Sequence, residues 1–303
     1  MKTLVVGYGS IGNRHARILN GLGCDVSVVS GRQIDFPNSF KSLDESLSKN
    51  SPTYVIIANR TSEHFATLRA LQKKGFRGMV MVEKPLFAEA ERAEVLCFKK
   101  VWVAYNLRFH PLILKVRNLL RDQPIITAQA YVGKNLATWR PQTDYRKSYS
   151  AFKDQGGGVL RDLSHELDYM IWILGGWRGA AAIGGHYSKL DIETDDVFSV
   201  LLKTKRCENV FIHMNYVDPV GRREITFVTE MLSIKVDLFN GWIEVNGQRE
   251  ECPVDRDFTY RGEHEAVLSG RWENLCSYEE GFEVMRLIEA AEKASKNGKW
   301  VKR

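Results

Sequence analysis

Cysteine is scarce in this 303-residue chain. Its five cysteines, Cys24, Cys97, Cys207, Cys252 and Cys276, are widely spaced, with no C-x-x-C pair. That odd, scattered set argues against a disulfide framework and for reduced, intracellular thiols. Long apolar runs are missing too, so a membrane-spanning helix is excluded. No signal-peptide layout precedes the first apolar stretch, and the expected location is the cytoplasm, with no membrane partner. The net charge of +6 is dispersed, apart from a short tail of Lys296, Lys299, Lys302 and Arg303. A nucleic-acid binder concentrates its basic residues on one element, so no nucleic-acid partner is expected. A mild positive field suits a small phosphate-bearing ligand better. His110, His186 and His213 show no metal-ligand spacing, and no metal is expected. No serine sits on a nucleophile elbow, which leaves hydrolase chemistry without support.

What is present starts at once. Leu4-Val5-Val6 runs into Gly7-Tyr8-Gly9-Ser10-Ile11-Gly12, and a helical stretch from Asn13 to Leu22 follows. An apolar strand, a G-x-G-x-x-G turn and an amphipathic helix form the dinucleotide-binding fingerprint. Gly7 permits the tight turn, Gly9 lets the backbone approach a pyrophosphate, and Gly12 lets the helix pack on the sheet. The helix N-terminus offers N–H groups and a positive dipole end to phosphates.

Strand and helix signals then alternate. Strands are expected at Thr3–Val6, Val26–Ser30, Tyr54–Ala58, Met79–Val82 and Val101–Tyr105. Helices are expected after Ser42, over Ser62–Lys74 and over Ala88–Lys99. This predicts a doubly wound parallel sheet in a Rossmann domain covering 1–106. After Asn106 the pattern changes. A helix over Pro111–Leu120, a strand over 125–132 and strands near 195–203, 209–217, 223–230, 232–238 and 241–245 predict an α/β domain over 107–303. Its sheet is expected to be open and mostly antiparallel. A helix over Gly158–Leu174 and a closing helix over Glu279–Lys296 complete it. An open sheet with one uncovered face points to a homodimer or homotetramer formed through it.

The second strand ends Val28-Val29-Ser30-Gly31-Arg32, with no acid at its tip. An NAD site places an acid about 20 residues after the glycine turn to hold the ribose 2′-OH. Ser30 and Arg32 suit a 2′-phosphate instead, so NADP is the expected cofactor, with NAD possible if Asp35 takes the acidic role.

On the Gly158–Leu174 helix, Leu160, Leu163, Leu167, Ile171 and Leu174 make the apolar face. Asp162, His165 and Tyr169 fall on the other side at i, i+3 and i+7. A histidine can take or return an alcohol proton near neutral pH, and Asp162 can orient its ring. The preceding loop carries Trp139, Arg140, Tyr145, Arg146, Lys147 and Tyr149. Such aromatic and basic groups suit a sugar face and an anionic group, or simply a packed surface loop.

Three sets of residues together resemble the Gfo/Idh/MocA family of NAD(P)-dependent oxidoreductases: the opening glycines, Glu83-Lys84-Pro85, and the run from Gly156-Gly157-Gly158 through His165 to Asp168. The resemblance extends to the Ser62–Lys74 helix with His64 and to Tyr105-Asn106-Leu107-Arg108-Phe109. The Thr138–Ala151 stretch is similar to a branch acting in sugar and surface-polysaccharide-precursor metabolism. The resemblance implies hydride transfer between a nicotinamide and a secondary alcohol or ketone of a sugar or nucleotide sugar. It implies catalytic roles for Lys84, His165 and Asp162. It implies cofactor contacts from Gly7, Gly9, Ser10, Ile11, Gly12, Ser30, Arg32, Asn59, His64, Glu83 and Lys84. Substrate contacts are expected from Asn106, Arg108, Arg140, Tyr145, Arg146 and Tyr169. Many members space the aspartate and histidine at i, i+4, whereas here the spacing is i, i+3. Rival readings are a non-catalytic nucleotide sensor and a reductase of a non-sugar carbonyl or imine.

Overall fold

A computed structural model describes residues 1–303 apart from 94, 96 and 140–142. In chain order its main elements begin with β1 (Lys2–Val6), α1 (Ser10–Gly21), β2 (Asp25–Val29), β3 (Ser39–Phe40), α2 (Leu43–Asn50) and β4 (Tyr54–Ile57). Next come α3 (Thr61–Lys73), β5 (Met79–Val82), β6 (Lys100–Val103), α4 (Pro111–Leu119), β7 (Ile125–Gly133) and the single turn α5 (Leu136–Trp139). They are followed by α6 (Val159–Asp162), α7 (His165–Ile173), β8 (Trp177–Gly185), β9 (Val197–Thr204), β10 (Val210–Asn215) and β11 (Arg222–Thr229). The chain ends with β12 (Ser233–Asp237), β13 (Trp242–Val245), β14 (Gln248–Glu251), α8 (Phe258–Ser269), β15 (Cys276–Ser277), α9 (Tyr278–Asn297) and β16 (Val301–Lys302).

The chain divides into two compact units. The first is Met1–Phe109 with Arg256–Phe282, and the second is His110–Asp255 with Glu283–Arg303. A single cut near residue 106 would assign Arg256–Phe282 to the second unit, whereas α8 and β15 complete the first.

In the first unit the strand order is β15-β6-β5-β4-β1-β2-β3. All pairs from β6 to β3 are parallel, and β15 alone runs antiparallel, against β6. The order 3-2-1-4-5-6 is the dinucleotide-binding one, with its topological switch between β1 and β4. The strands are continuous apolar runs because both faces are covered. Tyr54–Ile57 are all fully buried. Val5, Val28, Ile56, Met81 and Trp102 pack with Ala16 and Leu19 of α1 and with Ala266 and Val267 of α8. Ser42 caps α2, its hydroxyl accepting from the Glu45 N–H at 3.3 Å.

Two expectations are corrected. No helix forms among the described residues of 88–99. Tertiary contacts override the local preference there. The Ala93 N–H donates to the Tyr278 hydroxyl at 2.8 Å, Arg92 pairs with Glu279, and Ala93 and Phe98 are buried. The expected Gly158–Leu174 helix is broken into α6 and α7, because Leu163 leaves helical geometry at φ −99°, ψ 25°.

In the second unit the order is β14-β13-β12-β11-β7-β10-β9-β8-β16. Every pair is antiparallel except β7 with β10. Alternation along the strands sends Ala130, Ile212, Val200 and Phe227 to a buried face. Ile183, Leu201 and Phe211 lie exposed on the other. No helix among the described residues is long and apolar enough to cross a membrane.

Candidate active site

The glycine turn sits at the switch point of the first sheet. Gly7 has φ +98°, and a Cβ there would lie 2.5 Å from the Asn59 backbone nitrogen. At Gly12 a Cβ would lie 2.0 Å from the Gly7 carbonyl oxygen. Both positions therefore demand glycine. Gly9 faces open space and is the N-cap of α1 with no side-chain cap, so the N–H groups of Ser10 and Ile11 begin the helix without a capping side chain. Across the switch point, Asn59 Oδ1 is buried and meets no hydrogen-bond partner among the described residues. A buried acceptor without a partner, beside an open backbone turn, fits a dinucleotide that brings its own donors.

At the tip of β2, Ser30 Oγ accepts from the Arg32 N–H at 3.1 Å, while the Arg32 side chain is exposed. Lys41 Nζ donates to the Arg32 carbonyl at 3.1 Å. Lys41 was not singled out in the sequence. It follows β3, and only the fold brings it back beside Arg32.

Glu83 and Lys84 follow β5 directly. Glu83 Oε1 lies 2.8 Å from His15 Nε2, and Glu83 Oε2 accepts from the Lys84 backbone N–H at 3.0 Å. Burial alone would raise the Glu83 carboxyl, but the hydrogen bond and charge of His15, with Lys84 close by, hold it below the usual range. His64 lies on the other side of this turn. Burial holds its imidazole below the ordinary value. Its Nδ1 lies 3.2 Å from the Pro85 carbonyl and 3.1 Å from the Leu86 carbonyl, and its Nε2 lies 3.3 Å from the Asn59 carbonyl. The structure thus makes His64 a support for the Lys84 turn.

Asn106 and Arg108 lie in the first unit and are buried. Asn106 donates to Thr259 Oγ at 2.6 Å, and Arg108 pairs with Glu280 at 3.1 Å.

In the second unit, Asp162 ends α6 and His165 begins α7. The Asp162 Oδ2 accepts from the hydroxyls of Ser150 and Tyr216, each at 2.6 Å. Burial and then the nearby Asp162 charge push the Tyr216 hydroxyl well above its ordinary pKa, so it stays a donor. A pocket opens over Asp162, lined by Leu136, Trp139, Thr143, Tyr145, Ser148 and Ser150. Tyr145 is therefore brought beside Asp162. The Arg146 guanidinium pairs with Asp144 at 2.9 Å. Tyr169 is fully enclosed, and its hydroxyl donates to Glu166 at 3.1 Å. The same carboxylate takes Arg223 at 2.8 Å. Burial and the Arg223 charge press His110 down to about 4, so it is neutral near pH 7. Arg140 lies outside the described residues.

Fold and site together define a nucleotide-binding oxidoreductase. Residues 1–100 match the family model described as "Oxidoreductase family, NAD-binding Rossmann fold", and residues 113–244 match the Gfo/Idh/MocA C-terminal domain. The chain belongs to the Gfo/Idh/MocA oxidoreductase family. No curated protein matches it in sequence. Among solved structures, the WlbA dehydrogenase from Bordetella pertussis, in complex with NADH and UDP-GlcNAcA, is 17% identical with a TM-score of 0.81, covering 100% of this chain and 98% of that one. Aldose-aldose oxidoreductase from Caulobacter crescentus, complexed with glycerol, is 19% identical with a TM-score of 0.82, covering 100% and 99%. Levoglucosan dehydrogenase in complex with NADH is 14% identical with a TM-score of 0.85, covering 100% and 98%.

Proposed function

We propose that the chain transfers a hydride between a nicotinamide dinucleotide and a secondary alcohol or ketone of a sugar or nucleotide sugar. The observation that carries this reading is the placement of Lys84. It stands at the carboxyl end of β5, on the rim that holds the glycine turn, in a turn fixed by Glu83 before it and by His64 behind it. Ligands of doubly wound sheets bind at that rim.

The bound dinucleotide supplies or accepts the hydride. The chain's residues do the rest. The glycine turn and Asn59 hold the carrier. The Lys84 ammonium donates a hydrogen bond to the reacting oxygen and stabilises negative charge there. His165 takes the alcohol proton in oxidation and returns it in reduction. Asp162 fixes the pocket wall through Ser150, and Trp139 and Tyr145 offer ring faces to a sugar. The WlbA dehydrogenase, of the same fold, is in complex with NADH and UDP-GlcNAcA in its structure, which supports that substrate class.

We infer NADP(H) as the preferred carrier. Ser30, Arg32 and Lys41 group a hydroxyl and two cations at the β2 tip, a set suited to a 2′-phosphate. Neighbours of the fold bind NADH, so the comparison is worth making directly. In parallel fluorescence titrations NADPH should bind at least about tenfold more tightly than NADH, a difference of about 1.4 kcal/mol. Equal or tighter NADH binding would reverse the inference.

The exposed Ile183, Leu201 and Phe211 support a homodimer or homotetramer formed through the second sheet. A light-scattering mass of a single chain would contradict it.

A further inference from the structure

The first unit contains a polar chain that the proposed reaction does not use. Tyr54 on β4, His264 on α8 and His15 on α1 are all fully buried, and Glu83 is 8% exposed. The Tyr54 hydroxyl lies 3.1 Å from His264 Nδ1. His264 Nε2 lies 2.8 Å from His15 Nδ1. His15 Nε2 lies 2.8 Å from Glu83 Oε1. Four side chains, from β4, α8, α1 and the turn after β5, are thus joined end to end.

Glu83 is ionised and can only accept, so His15 donates to it through Nε2–H. Burial, then the neighbouring His15, holds His264 well below the ordinary imidazole value, and it is neutral. A neutral imidazole donates through one nitrogen and accepts through the other, so His264 bridges the Tyr54 hydroxyl and His15. Every ring nitrogen is satisfied. Buried polar networks of this completeness fix a unique arrangement, and a partial one is costly. The Tyr260 ring packs edge-on against His15 at 5.5 Å and seals the chain from the side.

The far end of the chain is what gives it a use. The other oxygen of Glu83 accepts from the Lys84 backbone N–H at 3.0 Å. We propose that Tyr54, His264 and His15 are positioning residues for Lys84, holding the Glu83 carboxylate and through it the backbone from which the reactive ammonium projects. This rests on the reading of Lys84 as a residue of the reaction. It adds that α8, which returns to the first unit from more than 150 residues downstream of β6, completes the support.

The test is hydrogen exchange at the Lys84 amide, read by mass spectrometry on overlapping peptides of the full chain. His264→Leu breaks the chain in the middle. Exchange at Lys84 should accelerate by about tenfold, the worth of one net hydrogen bond, while β5 itself stays protected. His264→Gln keeps one donor and one acceptor with which to bridge Tyr54 and His15, and should restore protection. NADH binding should change by less than about twofold in both, since the glycine turn keeps its contacts. Unchanged Lys84 exchange in a folded His264→Leu protein would overturn the proposal. So would loosening of all of β5, or a folded Gln variant as loose as the Leu one. If His264→Leu does not fold, Tyr54→Phe, which deletes one oxygen, decides by the same readout: faster Lys84 exchange supports the chain, and wild-type exchange overturns it. A wrong assignment of Lys84 would show separately, as undiminished turnover in Lys84→Ala with the exchange results intact.

Discussion

A buried charge persists only with a partner, and two arginines in this chain show how that governs their roles. Arg108 was expected to meet substrate, yet it is 1% exposed and paired with Glu280. Arg223 reaches Glu166 through two nitrogens, and Glu166 is fully buried. Removing Arg223 would strand that carboxylate together with the Tyr169 hydroxyl that leans on it. Arg223→Ala should therefore destabilise the second unit by about 3–5 kcal/mol, read as a lower urea midpoint. A loss below about 1 kcal/mol would mean the carboxylate is hydrated or protonated at little cost.

At the scale of elements, α6 is a single turn held by a residue far along the chain. Asp195 accepts from the Leu160 N–H at 3.0 Å through its side chain and from the Val159 N–H through its carbonyl. Burial raises the Asp195 carboxyl to about 6, against the opposing hydrogen bond from Leu160. Its folded value thus lies above the unfolded value of about 4. The favourable contribution is complete below about pH 4 and is lost as pH rises through about 6. Asp195→Asn keeps an acceptor and removes the titration. The variant should gain at most about 3 kcal/mol over the parent at pH 7 and little at pH 4, measured as urea midpoints across that range. A gain that grew as pH fell would refute the assignment.

The same scale shows what the sequence carried and what it hid. β1, the glycine turn and α1 were legible because apolar run, turn and helix start are local signals. Strands β7 and β9 to β13 of the second sheet were legible from their apolar patterning. The lack of a helix among the described residues of 88–99 was not, because it depends on Tyr278 and Glu279, nearly two hundred positions away, which hold Ala93 and Arg92. The break at Leu163 and the commitment of Asp162 to Ser150 and Tyr216 also depend on distant partners. β8, over Trp177–Gly185, is rich in alanine and glycine and has little strand preference of its own. It forms because β9 and β16 pair with it. Among the candidate residues, the glycines, Glu83 and Lys84 stand out from their own short motifs. Lys41, His264 and Tyr54 were not, since nothing in their own neighbourhood marks them.

At the scale of the whole molecule, the proposed reaction rests on the first unit's glycine turn and on Lys84 in its braced loop. The central claim is that Lys84 acts on the reacting oxygen. Nicotinamide absorbance should be followed for the parent and for Lys84→Ala over a panel of sugars and nucleotide sugars, with NADPH and NADP supplied in turn, and with dinucleotide affinity measured alongside. The parent should turn over at least one secondary alcohol or ketone. Lys84→Ala should lower that turnover by about a hundredfold or more while dinucleotide affinity stays within about threefold. Turnover in Lys84→Ala equal to the parent, or no absorbance change with any compound, would contradict the account.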